Sequence, residues 1–153
     1  MSLLNSLRIA LPKEAFLPGE HATALVELEL IRQVHVDELR WECITSTYQL
    51  ARRRDPIRIG YRGGYSYPDG AYNISRVVGR TNGLFVQDRD LEEAVWQFDL
   101  PFRVLPHRPS RMAERSKYAH VQLAVVATLA KARDLRAWAK VPIMDPSDGK
   151  VWV

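Results

Sequence analysis

A chain of 153 residues, 46% hydrophobic and 26% charged, has the size and composition of one globular domain with a single core, which excludes general disorder. No apolar run approaches the roughly 20 residues that a membrane-spanning helix needs. The net charge of +4 and the isoelectric point near 9.4 are mildly basic, too weak alone to imply nucleic acid.

Met1 to Arg8 lacks a basic segment followed by a long apolar core, so no secretory signal is expected there. Ser6 to Leu11 is a short strand candidate. Phe16-Leu17-Pro18-Gly19-Glu20 follows, where Pro-Gly favours a turn because proline presets φ and glycine tolerates a positive one. Ala24, Val26, Leu28 and Leu30 then share one parity, with Glu27 and Glu29 on the other. This period of two predicts a half-buried strand with an acidic outer face.

Val34 to Tyr48 continues in the same manner. Leu39, Trp41 and Cys43 share a face that Thr45 and Thr47 extend, while Ile44 and Tyr48 interrupt the polar side. A central strand partly covered on its second face is expected. Cys43 is the only cysteine, so it forms no internal disulfide. It fits a reducing cytosol and reads as a small core residue.

Residues 49–75 change character. Arg52-Arg53-Arg54 precede Pro56, Arg58 follows, and the stretch from Gly60 to Tyr72 is rich in glycine and tyrosine. Arg52, Arg53, Arg54, Arg58, Tyr61, Arg62, Tyr65 and Tyr67 form a basic aromatic set. It suggests an ordered binding loop or an extra hairpin for a partner or an anion, while the arginine run taken alone reads as a solvated loop.

Strands resume at Ile74 to Val78, and Thr81-Asn82-Gly83 offers a tight turn because Asn-Gly accepts positive φ. Asp88, Asp90, Glu92 and Glu93 form an acidic cluster that could bind a cation and reads more simply as a solvated turn. Trp96, Phe98 and Leu100 alternate with Gln97 and Asp99. Pro101 predicts a bulge or a switch between sheets. Leu105 to Arg115 is a polar loop, and Tyr118 to Leu129 is the strongest strand, with Val121, Leu123, Val125, Ala127 and Leu129 on one face. Leu135 to Ile143 gives another, anchored by Trp138. The tail, residues 144–153, ends in Val151-Trp152-Val153, too apolar to hang free. It either folds over its own sandwich or exchanges as a strand in an oligomer, with those three residues as the contact.

Seven to nine short strands with no amphipathic helix predict an all-β, immunoglobulin-like sandwich over residues 1–143. Phe16-Leu17-Pro18-Gly19-Glu20 before the strand Ala24 to Leu30 resembles the opening of arrestin-like domains. Phe98-Asp99-Leu100-Pro101-Phe102 resembles their Leu-Pro segment, and Pro109-Ser110 with Tyr118 to Val125 their later strand. Phe16 stands where tyrosine is common, and alanine where the second strand has glycine. The resemblance is to the N-terminal domain type, bacterial sporulation-control proteins included. It implies an arrestin-type sandwich and an adaptor or scaffold role.

The four histidines, His21, His35, His107 and His120, show no metal-ligand spacing, and His35 with Asp37 reads as a surface pair. Gly60 to Gly64 lacks the ending of a phosphate loop. No acid, base and nucleophile assemble, so no enzyme, cofactor or metal is expected. The expected function is a cytoplasmic adaptor binding a protein partner through edge strands and the 49–75 loop, with homo-oligomerisation in view. The alternative is peripheral binding of anionic lipid or nucleic acid through the arginines and tyrosines. A sugar-binding module is a weaker variant.

Overall fold

The computed structural model describes residues 4–52, 57–59, 64–66, 71–105, 120–147 and 149–152, with backbone alone for 48–52, 57–59, 64–66, 71–75 and 152. Two antiparallel sheets face each other. One has three strands in the order β1-β2-β7, from β1 (Ser6–Ala10), β2 (His21–Leu30) and β7 (Ala94–Arg103). The other has four in the order β6-β3-β8-β9, from β3 (Val34–Arg52), β6 (Ala71–Leu91), β8 (His120–Leu129) and β9 (Leu135–Val141). Two hairpins are added: β4 (Ile57–Ile59) with β5 (Gly64–Ser66), and β10 (Ile143–Met144) with β11 (Val151–Trp152). The all-β sandwich read from the alternation is the fold.

The period of two explains the core. Ala24, Val26, Leu28 and Leu30 of β2 point inward, as do Leu100 and Phe102 of β7. Val121, Leu123, Val125, Ala127 and Leu129 of β8 meet them from the opposite sheet, and all of these are buried. Burying a large aliphatic side chain contributes about 1.5–3 kcal/mol, so this one parity set supplies most of the drive to close the sandwich. Cys43 sits in the same core, and burial pushes its thiol pKa up.

The Pro-Gly turn closes one end. Gly19 has φ +87°, and the Glu20 N–H donates to the Leu17 carbonyl at 3.1 Å. Proline before a positive-φ glycine is the chemistry of a type II turn. Gly19 and Val104 are then tied, Gly19 N–H to Val104 carbonyl at 2.6 Å and Val104 N–H to Glu20 carbonyl at 2.9 Å. Phe16 is fully buried, edge-on to Phe102 at 5.4 Å. Its backbone bonds Pro142 and Met144, drawing the last strands onto the core.

Four expectations are corrected. Asn82-Gly83 is not a turn: β6 runs unbroken from Ala71 to Leu91, with Asn82 opposite Glu42 and Gly83 opposite Trp41. Glycine is required for space, because a Cβ on Gly83 would stand 2.7 Å from Trp41 Nε1. The turn lies ten residues later, at Glu92-Glu93, so Asp88 and Asp90 belong to a strand. Pro101 causes neither a bulge nor a switch, since β2 and β7 keep one register from His21↔Arg103 to Leu30↔Ala94. Among the described residues β7 is the terminal strand of its sheet, bonds a neighbour on one side only and tolerates a proline. Trp138 does not anchor β9 in the core: it is 63% exposed, on the same parity as exposed Arg136 and Lys140.

The 49–75 segment is in part regular. β3 extends to Arg52, β6 starts at Ala71, and the β4–β5 hairpin lies between them. Within the tail, Val151 and Trp152 pair with Met144 and Ile143 of the same chain.

Candidate functional site

Two places gather side chains that the core does not need. The first is the outward face of the four-stranded sheet. The register lines residues up in rows across it. One row is Asn82, Glu42, Ala124 and Trp138; the next is Leu84, Arg40, Val126 and Arg136. Small Ala124 opposite Trp138 leaves a depression in the middle of the sheet. The face encloses a shallow groove of about 710 Å³ with Ala124 and Val126 on its floor. Leu84 is 48% exposed beside it, so an indole and an isobutyl group stand in solvent around an apolar floor.

The charges on this face are only partly matched. Arg40 Nη1 bonds Glu38 Oε2 at 2.9 Å, and Arg80 Nε bonds Glu42 Oε1 at 2.9 Å. Arg136 forms no ion pair among the described residues. Beneath, Trp41 lies 6.4 Å from Phe85, and Phe85 stacks on Phe98 at 5.1 Å, filling the open side between β6 and β7.

The second place is the start of β3 against the end of β6. The register sets His35 directly opposite Asp90. His35 Nδ1 lies 2.6 Å from Asp90 Oδ1. His35 Nε2 lies 2.7 Å from Asp88 Oδ1 and 3.6 Å from Asp37 Oδ1. The His35 carbonyl accepts the Ala130 N–H at 3.0 Å, so its backbone is also held from the β8–β9 turn. Hydrogen bonds to Asp90 first and Asp88 second raise the His35 pKa, since both carboxylates favour the imidazolium. His35 thus stands within ligand distance of two carboxylates, beyond the surface pair with Asp37 expected from the sequence. Spacing along the chain cannot show it, because the carboxylates arrive across the ladder, 53 and 55 residues away.

The residues expected to bind a partner or an anion fall differently. Arg52 lies on the backbone of β3, Arg58 on β4 and Tyr65 on β5, whereas Arg53, Arg54, Tyr61, Arg62 and Tyr67 lie outside the described residues. Val151 is 51% exposed beside Trp152 in β11, and Val153 lies outside the described residues. The exposed face around Trp138 was missed. Its sequence signal is present: Arg136, Trp138 and Lys140 share one parity, against Ala137, Ala139 and Val141 on the other.

No family model matches the chain, and no curated protein does. Among solved structures, it is similar to Spo0M, a sporulation control protein from Bacillus subtilis. The identity is 11% and the TM-score 0.56, over 91% of this chain and 49% of that one. The chain thus spans about half the length of that structure, and the likeness is one of fold: an arrestin-like β-sandwich.

Proposed function

We propose that this chain is a non-catalytic, arrestin-like adaptor domain of a reducing cytoplasm that binds a protein partner. Its main contact is the outward face of the four-stranded sheet, with the β6 edge and the 49–75 segment as further contacts. The observation that carries the reading is Trp138, 63% exposed next to Arg136 on a grooved face whose opposite edge strand carries exposed Leu84. Tryptophan and arginine dominate the energetics of protein interfaces, and an indole over an apolar floor is strongly favoured to be covered. Arg136 gives the partner a chemistry: an apolar segment carrying a carboxylate, able to meet the guanidinium fork. Among the described residues β6 is the terminal strand of its sheet, with one side of its backbone unpaired and suited to strand addition.

The test is affinity capture on the immobilised full chain, with Trp138→Ala and Arg136→Glu as matched baits. A protein retained by the wild type and lost by both variants, with unchanged circular dichroism, is the expected result. Retention on anionic vesicles or nucleic acid that falls with added salt and with charge reversal at Arg52, Arg53, Arg54, Arg58 and Arg62 would overturn it in favour of peripheral anion binding.

A further inference from the structure

We propose that His35, Asp37 and Asp88 form a binding site for one borderline divalent cation, Zn²⁺ being the type, with Asp90 as the residue that positions the imidazole. The site lies on β3 and β6 of the same four-stranded sheet, and the inference does not rest on the proposed protein binding.

The argument begins with the ligand atoms. One nitrogen of His35 and one carboxylate oxygen each of Asp37 and Asp88 lie within 4.8 Å of one another. A tetrahedral zinc with bonds of roughly 2.0–2.2 Å sets its ligands about 3.4 Å apart. The three atoms therefore need only side-chain adjustment to close on an ion, and all three side chains are partly in water and free to make it. An imidazole with two carboxylates selects zinc-like cations over magnesium or calcium, which take oxygen ligands.

The histidine is what separates this cluster from an acidic turn. Asp90 accepts from Nδ1 at 2.6 Å, which leaves Nε2 facing Asp37 and Asp88. A carboxylate on the far nitrogen is the usual second partner of a metal-bound histidine, fixing both tautomer and ring angle. The backbone bond from Ala130 holds the same residue from a third strand connection.

Charge gives an independent reason. The ion pairs of Asp37, Asp88 and Asp90 among the described residues all go to His35. Three carboxylates gather around one imidazole, on a chain whose net charge is positive. On binding, the Nε2 proton leaves to bulk solvent and the nitrogen lone pair bonds the cation; Nδ1–H stays with Asp90. The two positive charges of the cation then offset two of the three carboxylates.

Zinc chloride titrated into the full chain by calorimetry tests the site, with magnesium chloride as the control. Expected are one zinc per chain, affinity that weakens as the pH falls, and no magnesium heat. His35→Gln, and Asp37→Asn with Asp88→Asn, should each weaken zinc at least tenfold, and Asp90→Asn about tenfold through the lost positioning bond. These residues are on the surface, and circular dichroism checks each variant's fold. Zinc should raise the melting temperature of the wild type and not of His35→Gln. Zinc affinity equal in the wild type and His35→Gln would assign the metal to other groups and overturn the proposal, as would no heat up to millimolar zinc.

Discussion

The two outward faces of this sandwich are built from the same alternation and end in opposite conditions. On the three-stranded sheet, the polar side chains satisfy one another across the ladder. Arg8 pairs with Glu27, Gln97 donates to the same Glu27 at 3.2 Å, and Ser6 reaches Glu29 at 3.5 Å. On the four-stranded sheet, Trp138, Leu84 and Arg136 have no such closure. A face that satisfies itself gains little from a partner. A face that leaves an indole in water gains from being covered, and the asymmetry supports the proposed contact surface.

Removing the indole is the strongest way to break this contrast. Trp138→Ala should weaken the captured partner by about 2 kcal/mol or more, roughly thirtyfold, by calorimetry or surface plasmon resonance. The stability of the free chain should move by no more than about 0.5 kcal/mol, since the side chain is mostly exposed. Next is the support beneath the groove. Gly83→Ala drives a methyl into the Trp41 ring, with contacts of 2.7–2.9 Å, and Trp41 in turn backs the groove. A stability loss of about 1–3 kcal/mol is expected from urea midpoints, together with weakened partner binding. An unchanged midpoint would mean that the ring has room to swing, and that Gly83 is not there to seat it.

The sequence makes the sandwich readable because its inner parity is nearly pure: every second residue of β2 and β8 is apolar. It hides the sites because both depend on register. Trp138 looks like an anchor until β9 is seen to turn the parity of Arg136 and Lys140 outward, putting the indole across from Ala124. Asn82-Gly83 looks like a turn because its signature reports only a demand for glycine. That demand comes from a neighbouring indole on β3 rather than from positive φ. His35 finds Asp88 and Asp90 only after a 21-residue β6 is laid against β3. Local pattern encodes faces; which residues meet across a ladder is set by pairing that no local window contains.

The closed face can be measured by a double-mutant cycle on Arg8→Ala and Glu27→Gln. The Arg8 side chain is 73% exposed against 14% for Glu27. A coupling of about 0.2–1 kcal/mol is therefore expected, falling as salt is added. A coupling of zero would remove the polar pairing from the comparison and leave the exposed apolar groups as its only basis.

The smallest effect sharpens the picture at the histidines, where two opposite environments meet one titration. His35 has a raised pKa because its hydrogen bonds to Asp90 and then Asp88 favour the protonated ring. Its contribution to stability is fully present below the reference value of 6.5 and is lost as the pH rises through the higher folded value. His120 has a lowered pKa, first from burial and then from the charge of Lys140. Its contribution is fully present above 6.5 and is lost as the pH falls through the lower folded value. The two windows lie on either side of 6.5, so the histidine part of the stability profile peaks there. In metal-free buffer, His35→Gln should flatten the fall in melting temperature on the alkaline side, and His120→Gln the fall on the acid side. Because His35 is exposed, water screens its pairs and its limb is the shallower one. A wild-type profile with no alkaline fall would show that His35 spends its protonated state unbound by the aspartates, and would remove the pairing that orients its ring.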